Sequence, residues 1–282
     1  MEFTKMSGAG NDFIILNNLS GQLAGYRLPQ LAKALCDRRF SIGADGMMVI
    51  VPAKQGGDFA MLFFNSDGTL SEMCGNGARC ICRYGFEHGL SGEEQHVESA
   101  AGMVTGWRLS KDVYRIALNT PTELKPNFTA TIDGKDCPCA YVELGHPGIP
   151  HAVVSVPGLT DLDFDELRPF AAKLRRYRGF QKGANVNLYD IIAPDTVLIK
   201  TFERGVEDFT LACGTGAGST VAVLRALGKV SDQPVRVLVP GGELKVQALG
   251  DDKKITALYL TGSAKLICNG VVCDDLDALK AE

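Results

Sequence analysis

The pentapeptide Cys74-Gly75-Asn76-Gly77-Ala78 returns in the second half of the chain as Cys213-Gly214-Thr215-Gly216-Ala217, each copy followed by a run with helical spacing. A self-similar element at this separation points to two related halves. Around the copies lie short apolar, β-branched runs bounded by Gly, Pro, Asn and Asp, which predict strands: 13–16, 47–51, 59–64, 113–118, 152–156, 197–202, 235–239 and 255–260. Helical spacing recurs at 29–37, 80–87, 164–176 and 219–227. Strands outnumber helices, so the expected class is mixed α/β. The polar, Pro-containing stretch 119–127 is the expected crossover between halves. The expected domains are residues 1–119 with 265–282, carrying Cys74, and 120–264, carrying Cys213.

In both copies a thiol precedes a Gly-x-Gly loop that opens a helix, and the first N–H groups of a helix lack intrahelical partners. Such a terminus, with its positive dipole end, holds a carboxylate and favours a thiolate. Two such loops facing one small molecule would set a thiol on each side of a carbon bearing the clamped carboxylate. One thiolate would remove the α-proton and the other thiol would deliver a proton to the opposite face. The charge developing on the carboxylate would be met by donors already in place. A single C-G-x-G-A is as readily a tight turn before a buried helix; two copies, each led by cysteine, favour chemistry. Neither G-x-G-x-x-G nor G-x-x-x-x-G-K-[ST] occurs, which counts against a nucleotide.

Composition narrows the partners. Of 282 residues, 45% are apolar and 22% charged, with a net charge of −4, so a phosphate backbone meets no basic face. No export signal or apolar membrane span is expected, and a cytoplasmic location follows. Nine cysteines in such a chain are expected to be reduced thiols. The pairs Cys80/Cys82 and Cys137/Cys139 have C-x-C spacing unsuited to structural zinc, and no metal is expected. Cys36, Cys268 and Cys273 read as small buried hydrophobes.

The chain resembles the diaminopimelate epimerase family over nearly its whole length. The matching stretches are Lys5-Met6 with Gly10-Asn11-Asp12-Phe13, Ile42 to Gly46, Phe64 to Gly68, Cys74 to Cys80, Gly183 to Val186, Phe202 to Gly205, Ala212 to Ala217, Pro240 to Gly242 and Leu260 to Gly262. The resemblance implies two pseudo-symmetric α/β domains, each a curled, mostly antiparallel sheet around a central helix, with the site in the cleft between them. It implies epimerisation of LL-diaminopimelate to the meso form with no cofactor, no pyridoxal phosphate among them. By motif, Cys74 and Cys213 correspond to the catalytic pair, and Gly75, Asn76, Gly214 and Thr215 to the carboxylate clamp. Asn11, Asn65, Asn185, Glu203 and Arg204 correspond to substrate-holding residues. Glu203 and His151 correspond to groups that adjust thiol protonation. Apart from the resemblance, Asn11 could simply form a turn, Glu203-Arg204 a solvated ion pair, and His151 a satisfied core histidine.

The pattern departs from the family at four places. Ser7 stands where histidine is usual. The segment Leu144 to His151 is longer than the usual Gly-Asn-Pro-His and lacks its asparagine. The stretch between Glu203 and Cys213 has one extra residue, and Gly218-Ser219 stands where a further cysteine is often found. These changes leave both thiols intact but lie near the substrate's far end, where a lost hydrogen bond alters discrimination. Racemisation of another polar amino acid, histidine for example, is the alternative. A non-catalytic amino-acid binding module is the alternative of another class. The expected partner is an amino-acid substrate; a homodimer is allowed but not required by anything in the sequence.

Overall fold

A computed structural model describes residues 1–71, 74–251, 254–273 and 276–280. The chain divides into two compact units, one formed by Met1–Ile116 with Gly262–Glu282 and the other by Ala117–Thr261. The first contains β1 (Glu2–Gly8), β2 (Asn11–Asn17), α1 (Leu28–Cys36), β3 (Gly46–Val51), β4 (Phe59–Asn65), β5 (Leu70–Ser71), α2 (Gly75–Glu87), β6 (Glu94–Ser99) and β7 (Gly102–Arg108). β8 (Val113–Leu118) spans the boundary. The second contains β9 (Pro121–Ile132), β10 (Lys135–Leu144), β11 (Ile149–Ser155), α3 (Phe164–Arg175), β12 (Asn185–Ala193), β13 (Thr196–Glu203), β14 (Asp208–Thr210), α4 (Gly214–Ala226), β15 (Val235–Val239), β16 (Gly242–Gly250) and β17 (Ile255–Ser263), whose end passes into the first unit. β18 (Lys265–Val271) completes the first unit.

The two units repeat one wiring. In the first, β1 and β2 are antiparallel, α1 crosses over to the parallel β3, β4 returns antiparallel with β5 beside it, and α2 crosses to the parallel β6, which turns back into β7. In the second, β10, β11, α3, β12, β13, β14, α4, β15 and β16 follow the same order with the same senses of pairing. β2 and β3 are buried on both faces, which is why Phe13 to Leu16 and Met47 to Ile50 read as continuous apolar runs. One face packs on α1 through Ile14, Leu16, Leu31, Leu35, Met47 and Val49. In the second unit α3 is set by an Asp163/Glu166 capping box and packs through Leu167, Ala171 and Leu174 onto Val154, Val186 and Leu188. α2 packs against β1, β2, β6 and β7, and α4 against β9, β10, β11, β12 and β16, so each central helix is enclosed by its own sheet.

Three expectations need correction. The helices read from Cys80 and Ser219 begin five residues earlier, at Gly75 and Gly214. Glycine-rich first turns have poor intrinsic propensity, and burial along α2 from Gly75 to Gly85 overrides it. The stretch 119–127 is mostly strand: β9 starts at Pro121, and its pairing with β10 skips register beside Pro126, where a residue without an N–H is tolerated in a bulge. Cys36 is buried, but Cys268 and Cys273 are exposed. Most side chains of β18 stand in solvent, where a small thiol is no burden. Among the described residues no helix is long and apolar enough to cross a membrane.

Candidate active-site residues of the two units

Cys74 is the N-cap of α2, extended at φ −130° and ψ 122°, with its carbonyl accepting the first helical hydrogen bond from Ala78. Its thiol donates to Asn11 Oδ1 at 3.4 Å, and the same oxygen lies 3.5 Å from Asn76 Nδ2. Asn11 is oriented from behind, because its Nδ2 donates to Asp45 Oδ2 at 2.6 Å. Asp45 in turn belongs to an ion cluster in which Arg38 bonds both Asp12 (2.6 Å) and Asp45 (2.7 Å), and Lys5 sits 3.0 Å from Asp12. Burial alone would raise the Asp12 pKa; bonds from Arg38 and Lys5 keep it below the usual value. Lys5, Asp12, Arg38 and Asp45 had no role assigned from sequence. Three of them lie in the motif stretches around Asn11 and Gly43, which was the available signal. Asn65 is tied into its own turn, donating to Thr69 Oγ1 at 2.9 Å.

Cys213 is the N-cap of α4 in nearly the same backbone conformation, φ −116° and ψ 111°. Its Sγ accepts from the Gly216 N–H at 3.3 Å and lies 3.5 Å from Thr215 Oγ1. The helix terminus was expected to favour a thiolate. Here burial, followed by the charge and hydrogen bond of Glu203, pushes the thiol pKa well upward, and the bonds from Thr215 and Gly216 only moderate it. Burial and Glu203 together thus favour the thiol form of Cys213.

His151 is fully buried on β11, and its Nδ1 lies 3.1 Å from Asn187 Nδ2. Asn187 also donates to Ala152 O at 3.1 Å and accepts at Oδ1 from Thr201 at 3.0 Å, which fixes its amide. Nδ1 is thus an acceptor and Nε2 carries the hydrogen. Buried Nε2 has no hydrogen-bond partner among the described residues. Burial, aided by the Arg204 charge, pushes the imidazole pKa down to about 3. Asn185 donates to Pro150 O at 3.3 Å and accepts from the Arg204 N–H at 2.8 Å, so it braces the start of β11 against the end of β13. The Arg204 side chain is exposed and donates to Lys182 O at 3.2 Å.

The lowered pKa has a measurable consequence for stability. Between pH 6.5 and 3 the unfolded chain binds a proton at His151 that the folded chain refuses, so stability is full above pH 6.5 and falls as pH drops through that window. Roughly 2–3 kcal/mol is expected to be lost between pH 6.5 and 4.5 from this group alone. Denaturant midpoints of the protein and of His151→Leu across that range test it; equal slopes in the two would refute it.

The departures from the family pattern are local. Leu144 to Ile149 form a hairpin in which Gly145, at φ +81°, packs on Asn119 and its carbonyl accepts from Thr122 Oγ1 at 2.9 Å. Glu203 is followed by a turn in which Glu207 is left-handed at φ 60° and its carboxylate bonds Arg175 and Arg176.

Corresponding positions differ in chemistry. Phe13 faces Gly46 on β2–β3, and His151 faces Asn185 on β11–β12. Met48 pairs with Phe63 where the second unit pairs Asn187 with Thr201. Asn65 ends β4 where Glu203 ends β13. The first thiol thus stands on an apolar floor and the second on a polar one. The second glycine of each motif serves this floor: a Cβ at Gly77 would strike Met48 Cε, and one at Gly216 would strike Asn187 Oδ1. Internal packing therefore requires glycine at 216, whereas at Gly77 the contact is only the flexible end of Met48.

Comparison with known proteins agrees with this construction. The family model described as diaminopimelate epimerase matches residues 3–112 and 145–267. A protein named diaminopimelate epimerase from Aquifex aeolicus is 33% identical, the alignment covering 98% of this chain and 99% of that one. Another of that name from Archaeoglobus fulgidus is 35% identical over 96% and 95% of the two chains. Among solved structures, a Bacillus anthracis phenazine biosynthesis protein of the PhzF family superposes with a TM-score of 0.71 at 14% identity, covering 97% of this chain and 99% of that one. A probable proline racemase from Agrobacterium radiobacter gives 0.70 at 18%, covering 98% and 94%. At these identities the solved structures speak to the fold alone.

Proposed function

Because the chain belongs to the diaminopimelate epimerase family, we propose that it interconverts LL- and meso-diaminopimelate by moving one α-proton between Cys74 and Cys213, without pyridoxal phosphate. The observation that carries this is the duplicated construction: in each unit a cysteine caps a buried, 13-residue helix opened by Gly-x-Gly. The N–H groups at Gly75 and Asn76, and at Gly214 and Thr215, would clamp the reacting carboxylate and meet the charge that grows on it. One sulfur, as thiolate, takes the α-proton while the other, as thiol, protonates the opposite face.

The supporting residues divide the remaining work. Glu203 holds the proton of Cys213 when that sulfur must act as the base, and His151 offers an Nε2–H as a neutral donor. Asn11, Asn65, Asn185 and Arg204 hold the substrate, the exposed guanidinium of Arg204 suiting the distant carboxylate. The thiols require a reducing compartment, so a cytoplasmic location belongs to the same proposal. The altered hairpin at Gly145–Gly148 favours, as a second reading, another polar amino acid as substrate.

Incubation with LL-diaminopimelate in deuterium oxide is expected to place deuterium at the α-carbon as the meso form appears. No incorporation from any amino acid rejects epimerisation and leaves a binding module. Incorporation into a different amino acid, with diaminopimelate inert, selects the second reading.

A further inference from the structure

Arg79 lies in the second turn of α2 and is the largest fully buried side chain among the described residues. Its guanidinium donates to the Gly75 carbonyl (3.2 Å), to Asn76 Oδ1 (3.0 Å) and, from Nε, to Ser263 O (3.4 Å). All three acceptors are neutral, and among the described residues no carboxylate pairs with it. A permanently charged group in that position is costly to bury, and structural hydrogen bonds alone could be made by a neutral side chain. Side chains on a helix lean toward its N-terminus, so this charge lies behind the turn that Cys74 caps. Room for it is made by Gly8, where a Cβ would lie 2.8 Å from Asn76 O and 3.4 Å from Arg79 Nη2.

The corresponding residue of α4 is Gly218, where a Cβ would meet Leu118 Cδ1 at 2.6 Å and Leu258 Cδ2 at 3.1 Å. The second unit thus has no space for a cation at this position, and its thiol is partnered by Glu203, Thr215 and the Gly216 N–H instead. The duplicated helix has been furnished in opposite senses, cationic in one unit and neutral or anionic in the other.

We propose that Arg79 is a positioning residue of the Cys74 half-site, resting on the epimerase reading above: it turns the Asn76 amide so that Nδ2 faces Asn11 and Cys74, and its unneutralised charge favours anions at the α2 N-terminus. Those anions are the Cys74 thiolate and the substrate carboxylate. With the Asn76 oxygen occupied by Arg79, its Nδ2 lies 3.5 Å from Asn11 Oδ1, the oxygen that also accepts from the Cys74 thiol. The guanidinium and the Cys74 sulfur interact favourably when both are charged, although burial pulls the arginine pKa down.

The test reads Cys74 directly, and only its Arg79→Lys arm also needs turnover. Carbamidomethylation of Cys74 by iodoacetamide is followed against pH by peptide mass spectrometry. In the unmodified protein the midpoint is expected below the ordinary cysteine value of about 8.5. In Arg79→Met it is expected to rise by about one unit, a roughly tenfold slower reaction at pH 7. In Arg79→Lys the charge remains but the fork is lost, so the midpoint stays while KM for diaminopimelate rises about tenfold. An ordinary or raised midpoint in the unmodified protein overturns the proposal, and that arm requires no variant to fold. So does a folded Arg79→Met, judged by circular dichroism, with an unshifted midpoint, the result for a merely structural arginine. Deuterium exchange can succeed while these arms fail, or fail while they succeed, so the two readings are separable.

Discussion

Cys74→Ala and Cys213→Ala are each expected to lose about two to four orders of magnitude in kcat/KM for diaminopimelate interconversion, the usual contribution of a positioned acid or base. The two losses should not add. In the proposed mechanism each sulfur is needed for the same proton transfer, so the double variant is expected to fall close to the worse single one. Cys268→Ala serves as the control, because that thiol is exposed on β18 and takes no part in either helix terminus. Chiral chromatography of the diaminopimelate isomers measures all four proteins. A single variant retaining more than a tenth of the activity would remove that cysteine from the mechanism.

The second large effect concerns the glycines beneath the thiols, where the two units should respond differently. A methyl group at Gly216 would collide with Asn187 Oδ1 and come within 3.1 Å of Thr201 Oγ1 and 3.2 Å of Cys213 Cβ. Asn187 cannot give way without breaking its bonds to His151, Ala152 and Thr201. Gly216→Ala is therefore expected to cost about 1–3 kcal/mol from overpacking and to disturb the histidine that the amide orients. A methyl at Gly77 meets the terminal Cε of Met48, the far end of a flexible side chain, and its next neighbour Phe13 Cζ is 3.5 Å away. Methionine adapts readily, so Gly77→Ala is expected to cost less than about 1 kcal/mol. Equilibrium unfolding of both variants, with activity measured in parallel, decides it; equal losses would mean that the polar floor is no stiffer than the apolar one.

Much of the protein was visible in the linear pattern. All eight apolar runs are strands, and the pentapeptide repeat anticipated the duplicated wiring of β1 to β7 and β10 to β16. Continuous runs such as Met47 to Ile50 were legible because a strand buried on both faces admits no polar alternation. The helix starts were less legible. Glycine carries no preference that could announce Gly75 or Gly214 as the first helical residue, and only enclosure by the sheet makes a helix there worth forming. β9 was hidden by Pro121 and Pro126, which local rules assign to a connection and which the structure accommodates at a strand start and an irregularity.

Residue chemistry and order were sufficient to mark two thiols, two glycine-opened helix termini and the family to which the chain belongs, because each depends on neighbours within a few positions. The raised pKa of Cys213, the tautomer of His151, the brace made by Asn185 and the burial of Arg79 among neutral acceptors were decided by tertiary structure. Burial and hydrogen-bond partners set a pKa and an amide's orientation, and those partners come from strands distant in sequence: Glu203 from β13, Asn187 from β12 and Ser263 from the end of β17. A linear pattern names the groups, whereas their charges depend on which surfaces the fold removes from water.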